Sequence, residues 1–159
     1  MGETKKERGA TIADFVRQTK ERKIPLVHQE AGINELIDAF VGSCHSRLLY
    51  VVDTEKRLKG IISLGNLIRH VFFPYHDSHV DCRNLISVAV SETARDFMQR
   101  EPQFALLSDN VEDVLQRMIS YNIKEIPILD KNRRVVADIT VIDFLDQYES
   151  DRKQDQTST

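Results

Sequence analysis

The chain has 159 residues, of which 41% are hydrophobic and 30% charged, with a formal net charge of −3. That length holds one ordinary domain or a pair of small ones sharing a core. The slightly acidic balance excludes the broad basic face that nucleic-acid binding needs. Apolar runs such as LLYVV and IPIL fall far short of the ~20 residues that cross a bilayer.

At the N-terminus, MGETKKERGA has no apolar core after its charges. No secretory signal is expected there, and the protein reads as cytoplasmic. Lys6 stands where a myristoylation pattern wants Ser or Thr. Residues 1–9 are too polar to fold, and the basic groups KKER (5–8) and KERK (20–23) read as solvated faces. IADFVRQ begins the structured part as a short helix.

In AGINELIDAFVGSCHS (31–46), Ile33, Leu36, Ile37 and Phe40 recur at helical spacing and make one buried face. RLLYVV is then a strand ending at Asp53, DTEKR a turn, LKGII a second strand, and the run after Ser63 a helix. The stretch from Pro74 to about 90, rich in turn formers, is a linker. ARDFMQR restarts a short helix with the same Asp-Phe pair as IADFVRQ. DNVEDVLQRMISYNI (109–123) is a helix with Val111, Val114, Leu115 and Met118 on its inner face. Asn110 is placed as its N-cap, with Glu112 and Asp113 in the first turn. EIPIL, DKNRR and VVADIT give a second hairpin, followed by a helix from VIDFL. The end, 150–159, is again too polar to fold.

This order is a repeat. Asp53 matches Asp130, Ser63 matches Thr140 and Asn66 matches Asp143, each pair 77 residues apart. The preceding helices match at 78, because the first copy carries one extra residue between helix and strand. The chain divides into repeat 1 (10–73), a linker (74–90) and repeat 2 (91–149), with tails at 1–9 and 150–159. Each repeat reads helix, short strand, helix, strand, strand, helix. The fold class is α/β (α+β), two pseudo-symmetric repeats, each a small sheet with flanking helices.

Thr140 and Asp143 admit two readings. Thr-x-x-Asp ahead of an apolar run is a capping box, which satisfies orphan backbone N–H groups. As a cap alone the pair is worth about 1 kcal/mol. The same hydroxyl and carboxylate at a helix N-terminus can also hold a ligand, since that end of a helix favours anions and an ionised carboxylate accepts hydroxyl donors.

The tandem of EIPILDKNRRVVADITVIDFL and RLLYVVDTEKRLKGIISLGNLIR resembles the cystathionine-beta-synthase (CBS) domain family, and specifically the paired CBS arrangement called a Bateman module. The resemblance covers about Ala10 to Glu149. It implies a regulatory, non-catalytic module whose inter-repeat clefts bind AMP, ADP, ATP or S-adenosylmethionine, with no required cofactor. It further implies a homodimer formed through helices and, for many members, a regulated partner protein. Carried over residue by residue, the better site has Thr140 and Asp143 for phosphate and ribose. Its base pocket is drawn from Phe104, Leu106, Ile123 and Ile126, with backbone groups of Ile123 and Lys124 facing the adenine edge. For Leu106 and Ile126 plain core packing is an equal reading. Pro127 is expected to shape a strand end.

The first copy departs further. Ser63 keeps the hydroxyl but Asn66 replaces the acid, losing charge-assisted hydrogen bonds. Tyr50 stands in place of the family proline, and Gly65 loosens the helix start. A weaker or empty site is expected there, with Arg47 and Leu49 beside Ser63 and Asn66. Ala137 replaces the glycine kept at Gly60, and Asp138, inside a strand, is expected to face solvent or an edge. Candidate phosphate cations are Arg47, Arg69, His70, Lys124, Arg133 and Arg134.

Other chemistries fit less well. His76, His79, Asp81 and Cys82 include metal-ligating types but match no zinc spacing. Cys44 and Cys82 read as free thiols, and Cys44 beside His45 lacks an orienting third group. The rival to nucleotide sensing is a ligand-free dimerisation or docking module for a larger partner.

Overall fold

The computed structural model describes residues 9–43, 46–72 and 92–158. The linker 74–90, the His76–Cys82 cluster, and Cys44 and His45 lie outside the described residues. In chain order the elements are α1 (Ile12–Gln18), β1 (Leu26–His28), α2 (Ile33–Gly42), β2 (Leu48–Val52), β3 (Leu58–Ser63), α3 (Leu64–Phe72), α4 (Ala94–Phe97), β4 (Gln99–Arg100), β5 (Ala105–Leu106), α5 (Val111–Ser120), β6 (Glu125–Leu129), β7 (Val135–Thr140) and α6 (Val141–Thr157).

Two compact units result. One comprises 23–102 with 132–135, the other 9–22, 103–131 and 136–158. The first unit holds a sheet of order β1-β2-β3-β4 and the second a sheet of order β5-β6-β7. In each, the short leading strand runs parallel to the next, Val27 opposite Val51 and Ala105 opposite Ile128. Alternate residues of the strands feed a core of Leu36, Phe40, Leu49, Val51 and Ile62 in the first unit. The equivalent core of the second contains Val114, Met118, Ile126, Ile128 and Ile139.

The units do not follow the sequence repeats, because each short helix packs with the other copy. In α1, Ile12 and Phe15 enter the second unit's core, and Phe15 stacks on Phe144 with centroids 4.8 Å apart. The backbone N–H groups of Ile12 and Ala13 donate to the Asp109 and Leu107 carbonyls. The helix α4 repeats this in the first unit, Ala94 and Arg95 donating to Ala31 and Gln29. Both helices open on a Thr-x-x-Asp capping box, Thr11 with Asp14 and Thr93 with Asp96.

The hairpin turns obey the repeat closely. Asp53 Oδ1 accepts from the backbone of Glu55 and Arg57 at 2.9 and 3.0 Å and closes its turn. Lys56 and Arg133, equivalent positions, are both left-handed, with φ of 63° and 65°. Asn110 caps α5 as expected, accepting from Glu112 and Asp113.

Two substitutions between the copies change the sheets. A Cβ placed on Gly60 would lie 2.7 Å from the Gln99 carbonyl oxygen and from Met98 sulfur, so only glycine admits β4 beside β3. Ala137 occupies that position in the second unit, whose sheet has three strands among the described residues. At Tyr50 the backbone N–H donates to the Pro25 carbonyl. Pro127 has no such donor, and the β5–β6 ladder starts at the next residue, Ile128. Pro127 therefore sits inside a buried strand and shortens its neighbour, instead of shaping a strand end.

At the C-terminus the expectation of disorder is not met. Residues 150–157 continue α6 as an exposed helix, tied by pairs such as Glu149 with Arg152 and Lys153.

Candidate functional site

The strand β7 alternates Val135, Ala137 and Ile139 into the core with Val136, Asp138 and Thr140 on its other face. The chain leaves that strand at Thr140, which is the N-cap of α6. The Thr140 N–H donates to Asp143 Oδ2 at 2.8 Å, and its hydroxyl lies 3.3 Å from the same oxygen. The orphan N–H of Val141 is satisfied separately by the Lys124 carbonyl at 2.9 Å. The capping box predicted from the sequence is thus present.

It differs from the other two in burial. The Asp14 side chain is 50% exposed, whereas Asp143 is 7% exposed. A buried carboxylate needs a cation, and Arg22 supplies it. Its Nη1 and Nη2 donate to Asp143 Oδ1 and Oδ2, both at 2.9 Å, in a fork-to-fork pair. Its Nε donates to Asp138 Oδ1 at 3.1 Å and Nη2 to the Asp138 carbonyl at 3.2 Å. Burial presses the Asp143 pKa upward, but the Arg22 guanidinium and the Thr140 N–H outweigh it and hold the carboxyl below its ordinary range. Hydrogen bonding to Asp143 in turn raises the Arg22 pKa above its usual value.

Two expectations fall here. Asp138 does not face solvent: it is 8% exposed and paired with Arg22. KERK is more than a solvated face, since its Arg22 is the cation of this site. The sequence carried one clue. An acid inside an otherwise apolar strand demands a partner.

The remaining candidates separate. Ile126 is fully buried in its unit's core among residues such as Met118. Leu106 and Phe104 are half-buried at β5, and the Phe104 carbonyl is taken by Arg117 Nη2 at 2.8 Å. Ile123 packs partly against the core, and its N–H is used by the Met118 carbonyl. The Lys124 carbonyl is likewise engaged, by Val141 N–H. The Lys124 side chain is exposed. Arg133 and Arg134 belong to the hairpin turn at the opposite end of β7, roughly 17 Å of strand from Thr140.

In the first copy, Ser63 Oγ accepts from Asn66 N–H at 3.1 Å, and the Arg47 carbonyl caps Leu64 as Lys124 caps Val141. Asn66 Oδ1 accepts from Arg69 at 2.6 Å, a helix-surface contact with no buried charge. Leu49 is fully buried core. His70 stacks on Phe97 with centroids 5.0 Å apart and lies against Glu92. Among the described residues, no three His, Cys, Asp or Glu side chains converge to hold a metal.

Comparison with known proteins gives the same architecture. Two stretches, 14–72 and 94–150, match the CBS domain model. The crystal structure of CBSX2 from Arabidopsis thaliana in complex with AMP superposes with a TM-score of 0.71 at 19% identity, covering 91% of this chain and 99% of that one. The CBS domain pair of MJ0100, in complex with 5′-methylthioadenosine and S-adenosyl-L-methionine, gives 0.65 at 22% identity, covering 89% and 98%. The magnesium transporter MgtE of Thermus thermophilus is 28% identical over 107 residues, 67% of this chain and 20% of the transporter. The chain therefore spans about a fifth of that relative's length. The cytosolic domain of MgtE in complex with ATP superposes with a TM-score of 0.56 at 22% identity, covering 76% of this chain and 43% of that one. With both repeats matched over most of its length, this chain belongs to the CBS domain family, of which it carries two copies.

Proposed function

We propose that this chain is a regulatory module that binds an adenosine nucleotide at Thr140 and Asp143 and passes the signal on through a change of conformation or oligomeric state. AMP, ADP and ATP are the first candidates and S-adenosylmethionine the next. The observation that carries this reading is the buried, ionised carboxylate of Asp143 at a strand-to-helix turn, the position where an acceptor-only group suits the two hydroxyl donors of a ribose. The ligands named for the structurally similar CBS pairs, AMP, 5′-methylthioadenosine with S-adenosylmethionine, and ATP, support it. A catalytic role is not part of the proposal. Among the described residues no helix is long and apolar enough to cross a membrane, in keeping with a cytoplasmic module.

A thermal melt against each nucleotide tests the proposal. A ligand that binds only the folded state at 100 times its dissociation constant stabilises it by about 2.7 kcal/mol. For a chain of this size that is a rise of roughly 5–10 °C. Asp143→Asn removes the rise, while Ser63→Ala leaves most of it. The competing role, a ligand-free docking or dimerisation module, is favoured by one fact: Arg22 already satisfies Asp143. If no nucleotide moves the wild-type melt, that role stands.

A further inference from the structure

We propose that Arg22 is a built-in competitor for the ribose, a latch that must leave Asp143 before a nucleoside can bind there. This rests on the nucleotide reading of the Thr140–Asp143 site and adds a step and a regulator to it. A carboxylate offers about four acceptor positions. At Asp143, Oδ2 faces three donors, the Thr140 N–H, the Thr140 hydroxyl and Arg22 Nη2, and Oδ1 faces Arg22 Nη1. A 2′,3′-diol has two hydrogen bonds to donate, and Oδ1 keeps one open position until Arg22 Nη1 withdraws and frees the second.

The geometry makes Arg22 the movable member. Asp138 and Asp143 are fixed in β7 and the first turn of α6, with side chains 5% and 7% exposed. Arg22 lies outside helix and strand, in the segment 19–25 between α1 and β1, and its side chain is 35% exposed. A path to water is therefore open to the cation and closed to the acids. Asp138 is the second tether. It holds Nε and Nη2, and the first copy has Ile61 in its place. The latch belongs to one copy only.

Its release has a consequence along the chain. Arg22 is the residue at which the chain passes from one compact unit to the other. Freeing it loosens the 19–25 segment that joins α1 to β1, which gives nucleotide binding a mechanical output.

The test is isothermal titration of the full chain and its Arg22→Gln, Asp138→Asn and Asp143→Asn variants with adenosine and with AMP. If the latch is open about a tenth of the time, removing it tightens binding about tenfold. The expected result is that Arg22→Gln binds both ligands about tenfold tighter, that Asp138→Asn shifts in the same direction, and that Asp143→Asn binds neither. Adenosine lacks phosphate and so separates a latch from a phosphate ligand. Weaker AMP binding by Arg22→Gln with adenosine unchanged makes Arg22 a phosphate contact and overturns the latch. Equal affinities in wild type and Arg22→Gln make the ion pair purely structural and also overturn it. Flat titrations for every variant, wild type included, remove the nucleotide reading itself. Should Arg22→Gln not fold, Asp138→Asn decides the question, because it leaves every acceptor of Asp143 in place. A second readout is tryptic cleavage at Lys20, Arg22 and Lys23, which adenosine accelerates in wild type if the segment is released and leaves unchanged if it is not.

Discussion

At the scale of single residues, one motif has two fates. Thr11 with Asp14, Thr93 with Asp96 and Thr140 with Asp143 are the same Thr-x-x-Asp box. Exposed, it is a cap; buried and joined to Arg22, it becomes a charged site. The ion pair revises the value that capping alone assigns to Asp143. Breaking a buried pair costs about 3–5 kcal/mol, and the partial exposure of Arg22 reduces that to about 1–3 kcal/mol. Asp143 carries a folded-state pKa below its unfolded one, so its contribution is complete above the ordinary Asp value of about 3.9 and is lost as pH falls through the lower, folded value. Melting temperatures of wild type and Asp143→Asn are therefore expected to differ by roughly 2–12 °C at neutral pH and to converge as pH drops from about 4 towards 2. A gap that stays constant across this range contradicts an ionised, Arg22-held carboxylate.

Among the elements, a single hydrogen atom decides whether a strand exists. The absent Cβ of Gly60 lets β4 approach β3, and Ala137 stands at the matching position of the three-stranded sheet. Where no strand fits, a long side chain bridges instead, and Arg22 reaches the Asp138 carbonyl. Gly60→Ala is expected to cost about 1–3 kcal/mol by overpacking. Hydrogen exchange should show the loss of protection confined to Gln99, Arg100 and their partners on β3, with α2 and β2 unaffected. Protection spreading to a global decrease at unchanged melting temperature does not fit this mechanism.

For the whole molecule, the surface left over is informative. Ile142, Leu145 and Tyr148 are exposed along one side of α6, and Ile68 and Phe72 along α3. Apolar side chains at helical spacing on a small protein mark an interface, and a twofold dimer is the commonest closure. A homodimer in the micromolar range is the expected state. Sedimentation equilibrium is expected to show it, and Leu145→Glu to raise the dissociation constant at least about tenfold, equivalent to 1.4 kcal/mol, with the melting temperature of the monomer kept. A monomer at high micromolar concentration rejects the dimer.

The order of elements, the two hairpins and the capping box at Thr140 were legible because they rest on local rules: apolar periodicity, Asp-led turns and a fixed spacing of 77 residues. Asn110 as a cap follows from residue type alone. What the sequence could not decide are contacts between distant segments. Ile126 and Leu49 could be assigned to core only once their strands faced α5 and α2. The exchange of α1 and α4 between copies is invisible in a repeat, since the two arrangements have the same sequence pattern and differ only in which sheet buries Phe15. Above all, Arg22 lies 116 and 121 residues from the acids it holds. No spacing rule spans that distance; only burial, which strips Asp138 and Asp143 of water and makes an unpaired charge costly, required the cation to be there.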